Sequence, residues 1–555
     1  MIERFCNRLD FSSYEDFKQN FQIIVPENFN FAYDVVDEWA RIEPEKRALV
    51  WCDDKGEERT FTFADIKRLS DKTANALRSL GIGRGDSVMV LLKRRWEYWC
   101  ISMALCKLGA TIIPATHQLT AKDIRYRMEM ADVHMIIAVA DDYVCGCIDD
   151  VFQTIGGDRV KALVAGTREG YLDFSRMMEE ASEDFVRPTG DDASHNDDIM
   201  LCYFTSGTTG MPSMVAHNFI YPLGHILTAK FWQDLRETDL HLTAADTGWA
   251  KASWGKLYGQ WICGAAVFAY DYGTRFHPTD FLKLIGKYHI TTFCAPPTIY
   301  RFFIKENLEE YDLSSLRACY IAGEPLNPEV FNRWRDHTGI ELREGFGQTE
   351  TPVMIATSPW IKPKPGSTGK PMPWINIKLL DDNGNECEPG DEGEICVPIV
   401  NGHPAGLFVE YRGNPQKNAE AFRDGYYHTG DMAWMDEDGY IWFIGRNDDV
   451  IKSSGYRIGP FEVESALLEH PAVLEAAITA VPDPQRGQVV KATVVLTRGY
   501  EPSDALVKEL QNHVKHVTAP YKYPRIVEFV EKLPTTISGK IRRVEIRNKD
   551  AKTSE

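Results

Sequence analysis

The chain has 555 residues, 44% of them hydrophobic and 26% charged, which makes it too long for one core and too apolar to be disordered. A formal net charge of −19 excludes generic binding to nucleic acid or anionic lipid, yet a few local cations and backbone N–H groups suffice to hold a nucleotide. The N-terminal MIERFCNRLDFSS has no apolar h-region, no apolar run is long enough to cross a bilayer, and the twelve scattered cysteines show no zinc spacing; these features predict a reduced, cytoplasmic protein without a membrane span.

Along the chain, apolar β-rich runs alternate with amphipathic stretches. Residues 63–80 read as a helix, 87–92 as a buried strand and 97–108 as the next helix. Further buried strands are expected at 135–139, 200–204, 291–294 and 319–322. Such alternation predicts an α/β fold with largely parallel sheets. From Gly366 to about Tyr440 the pattern turns to short strands and Gly/Asp/Asn turns, which predicts a β-rich subdomain. After residues 445–449 the pattern is α+β, with helices over 460–468 and 503–517 and strands near 476–481 and 491–496. The expected division is therefore a large domain over 1–447, with layered α/β subdomains plus the β-rich one, and a small mobile α+β domain over 448–555. No low-complexity linker separates them, so the boundary reads as a tight hinge.

The strongest local feature is Thr205-Ser206-Gly207-Thr208-Thr209-Gly210, directly after an expected strand. Glycines let the backbone turn N–H groups toward one anion, and the hydroxyls add donors without bulk, so the loop suits a polyphosphate. It is not the GxxxxGK[ST] loop, because no Lys follows the second Gly. A surface turn of small polar residues would have the same composition.

TSGTTG followed by xP resembles the phosphate loop of the adenylate-forming superfamily of acyl-CoA synthetases, luciferases and peptide-synthetase adenylation domains. AGEPLNPE (322–329), GFGQTETP (345–352), YHTGDMA (427–433), GRNDDVIKSSGYRIGPFEVE (445–464) and SGK (538–540) follow in that superfamily's order. The resemblance runs from about Phe31 to Arg543, and DTGWAKASWGK, SSGYRIGP and TAPYKYPR are most similar to medium-chain acyl-CoA synthetases. It implies an enzyme that uses ATP, Mg2+ and coenzyme A on a small-molecule carboxylic acid. A homo-oligomer is compatible with it.

By resemblance, Thr349 meets the α-phosphate and Glu350 holds Mg2+. Gly323, Glu324 and Pro325 run along the adenine, and Gly345, Phe346 and Gly347 form the strand end beside the nucleotide. Asp431 accepts the ribose hydroxyls, Arg446 and Arg457 lie on the nucleotide side, and Lys540 reaches the reacting carboxylate. Asp448 matches the hinge, and Ser454, Gly455 and Lys515 the coenzyme A path. Trp249, Trp254, Lys256 and Gly347 are expected near the acyl pocket. Acetate-specific relatives carry Trp where this chain has Gly347, which implies an opened cavity and an acid longer than propionate: medium-chain, branched or aromatic. One departure stands out. The superfamily's loop continues with Pro-Lys, whereas this chain has Pro212-Ser213, and losing one charge-assisted contact to pyrophosphate costs about 1–3 kcal/mol. Two alternatives therefore stay open: transfer of the acyl group to a carrier protein, and a low-activity ligand-binding relative.

Overall fold

A computed structural model describes residues 1–205, 212–273, 277–324, 326–454, 456–535 and 541–554. Its strands make an α/β protein of four sheets, with nine, eight, five and five strands. In the nine-stranded sheet, Arg47–Asp53, Ala266–Asp271, Leu240–Thr243, Thr292–Ala295, Ala318–Ala322 and Leu342–Phe346 run parallel. Antiparallel strands close both edges: Glu58–Thr62 on one, Ile355–Ala356 and Lys370–Pro371 on the other. In the eight-stranded sheet, six strands from Leu172–Asp173 to Ile199–Thr205 are parallel, and Ser213–Asn218 and Glu410–Tyr411 follow antiparallel. Parallel strands are covered on both faces, which is why they appear in the sequence as unbroken apolar runs.

The helix Phe63–Ser79 starts at Thr62, where Thr62 and Asp65 exchange the two bonds of a capping box. The helix Glu97–Leu108 is buried along its whole length, and it includes a lysine. Lys107 has no exposed side-chain surface, and its Nζ lies 2.5 Å from Asp71 and 2.9 Å from Asp37; an unpaired ammonium there would be prohibitively costly. Two core indole N–H groups are likewise satisfied: Trp99 donates to the Lys256 carbonyl at 2.7 Å and Trp51 to the Arg94 carbonyl at 3.0 Å. All twelve cysteines are free thiols, ten of them buried. No helix among the described residues is long and apolar enough to cross a membrane.

The β-rich stretch departs from its expected outline. Its antiparallel sheet comprises Lys378–Leu380, Glu392–Pro398, Tyr426–Met435, Phe422–Arg423 and Ile441–Arg446. Lys370–Pro371 and Glu410–Tyr411, from the same stretch, join the two larger sheets instead. A two-residue strand has too little pattern of its own to choose a partner, so tertiary packing assigns it. The C-terminal sheet holds Ile451–Ser453, Tyr456–Ile458, Val473–Asp483, Gly487–Leu496 and Ile526–Phe529. The helices Pro460–Leu468 and Asp504–Val517 pack against each other beside it, the second capped by Ser503.

Glu344, on the strand Leu342–Phe346, is fully buried, and burial pushes its pKa from 4.5 up to about 8. A carboxyl raised in the folded state stabilises the fold fully below its unfolded pKa and loses that contribution as pH climbs toward its folded one. Glu344→Gln is therefore expected to melt at a higher temperature than the native protein. The gap should widen between about pH 4.5 and 8, and at pH 7 should correspond to at most about 3 kcal/mol. Thermal denaturation across that range checks this; a gap that does not change with pH refutes it.

Candidate functional site

The loop expected to hold phosphate lies between two antiparallel strands whose ends are tied, since Thr205 pairs with Ser213. Residues 206–211 of that loop (Ser206, Gly207, Thr208, Thr209 and Gly210 among them) lie outside the described residues, as do Pro325, Gly455 and Lys540. Thr205 itself lies half-buried at the strand end.

Thr349 and Glu350 follow the strand Leu342–Phe346 in the nine-stranded sheet, yet partners from other elements fix them. The buried His217 ring, on Ser213–Asn218, donates from Nε2 to the Thr349 carbonyl at 2.9 Å. Burial lowers the His217 pKa to about 3, so the ring stays neutral. Glu350 is buried, its Oε1 accepts from the Tyr411 hydroxyl at 2.8 Å, and its carbonyl accepts from the Phe408 N–H at 2.8 Å.

Asp431 and Arg446 face each other across the antiparallel pair Tyr426–Met435 and Ile441–Arg446. Asp431 is only 4% exposed; its Oδ1 lies 3.6 Å from the Arg446 guanidinium, and Gln348 Nε2 donates to its Oδ2 at 2.5 Å. Gln348 also donates to the Thr429 carbonyl at 2.9 Å and accepts from the Tyr427 hydroxyl at 2.6 Å. Arg446 donates to the Thr429 carbonyl at 2.9 Å. Gln348 thus ties the Thr349–Glu350 turn to the Asp431–Arg446 pair, and it is missing from the residues expected from sequence, as is Tyr411. An amide in the middle of a motif gives no sign of where its donors point.

The Gly323–Glu324 segment ends the strand Ala318–Ala322. Gly323 takes φ +97°, a conformation that favours glycine. Glu324 accepts from the Thr298 hydroxyl at 2.9 Å and lies 3.7 Å from Arg301.

Around the expected acyl pocket the structure changes one reading. A methyl group added at Gly347 would come within 2.4 Å of the Trp254 ring, and one at Gly345 within 2.4 Å of Trp232. The space beside Gly347 is therefore a seat for the indole of Trp254, supplied by the helix Lys251–Gly255, and not the opened cavity that a missing tryptophan implies. Phe346 packs on Phe443 with ring centroids 5.6 Å apart. Trp249 is half-buried in the turn before the same helix. Lys256 is 2% exposed, and burial with the Arg94 charge lowers its pKa to about 7, opposed by Asp246 and Asp271. It is a core lysine beside the Arg94–Asp246 pair, 3.0 Å between charged atoms.

Three of the C-terminal candidates have partners outside this cluster. Arg457 pairs with Asp382 at 2.7 Å, Ser454 accepts from Arg486 at 3.1 Å, and the Lys515 ammonium lies 4.1 Å from the centre of the Tyr523 ring. Asp448 is exposed, 3.8 Å from Arg446. Its neighbour Asp449 is buried and paired with Arg543 and Arg547 of the helix Arg543–Ser554. Arg543 also makes two 2.8 Å bonds to the buried Glu464. Thr535 and Ile541 form an antiparallel bridge, so the ends of the segment carrying Lys540 are joined.

A buried carboxylate beside an arginine, an adjacent threonine-glutamate turn and a hydroxyl-glycine loop suit a nucleotide. The chain belongs to the AMP-binding enzyme family: that family's model matches residues 36–400, and the model of its C-terminal domain matches 462–540. Among curated proteins it is 45% identical to the mitochondrial acyl-coenzyme A synthetase ACSM3 of Mus musculus over 551 residues, 98% of this chain and 94% of that protein. It is 44% identical to the human mitochondrial acyl-coenzyme A synthetase ACSM4, over 95% of this chain and 91% of that one. Among solved structures, the anthranilate CoA ligase AuaEII in complex with anthranoyl-AMP superposes with a TM-score of 0.87 at 29% identity, covering 96% of this chain and 99% of that one. A benzoate CoA ligase from Burkholderia xenovorans gives 0.80 at 25% identity, covering 94% and 100%. The relatives' mitochondrial names overturn the cytoplasmic placement expected from sequence. Unpaired, buried cysteines do not name a compartment.

Gln348→Ala leaves the Asp431 carboxylate without its amide donor, a charge-assisted bond of about 1.5–3 kcal/mol. AMP affinity is expected to fall by about tenfold or more, read by titration calorimetry, and the melting temperature to fall as well, because a buried carboxylate loses a donor. Unaltered AMP binding would refute the positioning role.

Proposed function

We propose that this protein is an AMP-forming acyl-CoA synthetase. It joins a carboxylic acid to ATP, releasing pyrophosphate, and passes the acyl group from the acyl-adenylate to coenzyme A, releasing AMP. The observation that carries this reading is the convergence, through Gln348, of Thr349 and Glu350 with Asp431 and Arg446.

A carboxylate resists a thiol because it is anionic and lacks a good leaving group. Attack by its oxygen on the α-phosphorus of ATP breaks the bond to the β-phosphate, whose electrons leave with pyrophosphate. The resulting mixed anhydride has AMP as its leaving group. Two anions must meet for this, so the site's work is orientation and positive charge. In the proposed roles, the Asp431 carboxylate accepts the ribose hydroxyls, and the Thr349 hydroxyl holds the α-phosphate. Glu350, a buried hard-oxygen ligand steadied by Tyr411, suits Mg2+ and would hold it. The ion would offset phosphate charge when bound. Lys540 draws the carboxylate and α-phosphate oxygens together as a compact point charge.

Coenzyme A then has to reach the adenylate where Lys540 stood. We assign domains at 1–447 and 448–555, with Asp448 as the hinge and Ser454, Gly455 and Lys515 on the coenzyme A side. Rotation there would withdraw Lys540 and admit the thiol. Trp254, seated against Gly347, forms a wall of the acid's pocket and so limits the length of chain that it admits. The relatives' names support a mitochondrial site of action.

Two outcomes test this. Lys540→Ala should nearly abolish acid-dependent pyrophosphate–ATP exchange while thioester formation from supplied acyl-adenylate persists; equal loss in both half-reactions would sink the division of labour. Trp254→Ala should raise the decanoate-to-hexanoate ratio of kcat/KM by about tenfold or more, since each buried CH2 contributes about 0.8 kcal/mol. A ratio unchanged from the native enzyme removes Trp254 from the pocket.

A further inference from the structure

The loop position where a lysine would stand holds Ser213, and another lysine meets that serine in space. Lys417, on the helix Pro415–Ala421, donates from Nζ to Ser213 Oγ at 2.9 Å, across 204 residues of chain. Two elements bring it there. The strand Glu410–Tyr411 pairs with Ser213–Asn218, setting Tyr411 opposite Val215. Asn414 then caps the short helix by accepting from the Lys417 N–H at 3.0 Å. The ammonium lies 3.8 Å from the centre of the Tyr411 ring, and the hydroxyl of that same tyrosine holds Glu350. Lys417 therefore sits between the end of the phosphate loop and the acidic side chain assigned to Mg2+.

We propose that Lys417 supplies to the leaving pyrophosphate the cation that the phosphate loop lacks at Ser213. The inference rests on the acyl-CoA synthetase reading and deepens it. An ammonium has three donors, and among the described residues one is engaged, by a serine hydroxyl that brings no compensating charge. Burial lowers the Lys417 pKa, with Glu350 and Glu420 opposing and Arg446 reinforcing the shift; an arriving phosphate anion would restore the charged form. When the carboxylate oxygen bonds to the α-phosphorus, the bond to the bridging oxygen breaks and that oxygen keeps the electron pair. Lys417 meets the growing charge by hydrogen bonding, with no proton transferred. Lysine suits the task as a compact point charge on a flexible stem that can reach past a serine.

Lys417→Met, Ser213→Lys and the double variant of the full chain test this. The acid is whichever the native enzyme uses best among acetate through dodecanoate and benzoate. Lys417→Met is expected to lower acid-dependent pyrophosphate–ATP exchange by about ten- to a hundredfold, with thioester formation from supplied acyl-adenylate within about twofold of native. Adding Ser213→Lys should recover about tenfold or more of the exchange, which a mere loss of packing on Tyr411 would not allow. Calorimetry with inorganic pyrophosphate and with AMP gives a readout independent of turnover: Lys417→Met should weaken pyrophosphate about tenfold and leave AMP unchanged. Native exchange in Lys417→Met, equal loss in both half-reactions without rescue, or unaltered pyrophosphate affinity would each overturn the proposal. A native enzyme that makes no AMP from any acid would instead bring down the parent reading, and the pyrophosphate titration would still decide this one.

Discussion

Two buried carboxylates, Asp431 and Glu350, set the terms for the structure around them. A carboxylate out of water is tolerable only when hydrogen bonds or opposite charge replace its lost hydration. Here the replacements come from separate elements: the Gln348 amide and Arg446 for Asp431, the Tyr411 hydroxyl for Glu350. Satisfying them draws the nine-stranded sheet, the β-rich sheet and the last strand of the eight-stranded sheet to one point. The proposed nucleotide site is where these three sheets meet.

The same principle operates at the C-terminal boundary. Asp449 is buried and carries Arg543 and Arg547, and Glu464 holds Arg543 by two bonds. The residues that follow the Lys540 segment are thus fastened to the start of their own domain, immediately beside exposed Asp448. The role proposed for Lys540 would need this kind of anchoring, because a side chain's reach is set by how firmly the chain on either side is held.

Ser213 alone makes the chain look like a weakened member of its family. The contact from Lys417 changes that picture, since the charge missing along the sequence returns through space. A comparable exchange occurs at Gly347, where Trp254 of a distant helix covers the position a side chain would have filled. In both places what matters is which atoms occupy a volume, and the chain has more than one way to supply them.

The α/β layering, the helices Phe63–Ser79, Glu97–Leu108 and Pro460–Leu468 and the buried strands were legible in the sequence because hydrophobic periodicity and capping residues act over a few residues. The ordered motifs likewise singled out the loop, the threonine-glutamate turn and Asp431 as candidates, since each needs particular residue types side by side. Tertiary structure alone decided the rest. Gln348 as the tie, Tyr411 against Glu350, Lys417 against Ser213, Trp254 over Gly347, the core burial of Lys256 and the pairing of Asp449 all depend on contacts between segments tens to hundreds of residues apart. Local sequence fixes the shape of a segment, but which side chain fills the next segment's vacancy is settled only when the sheets come together.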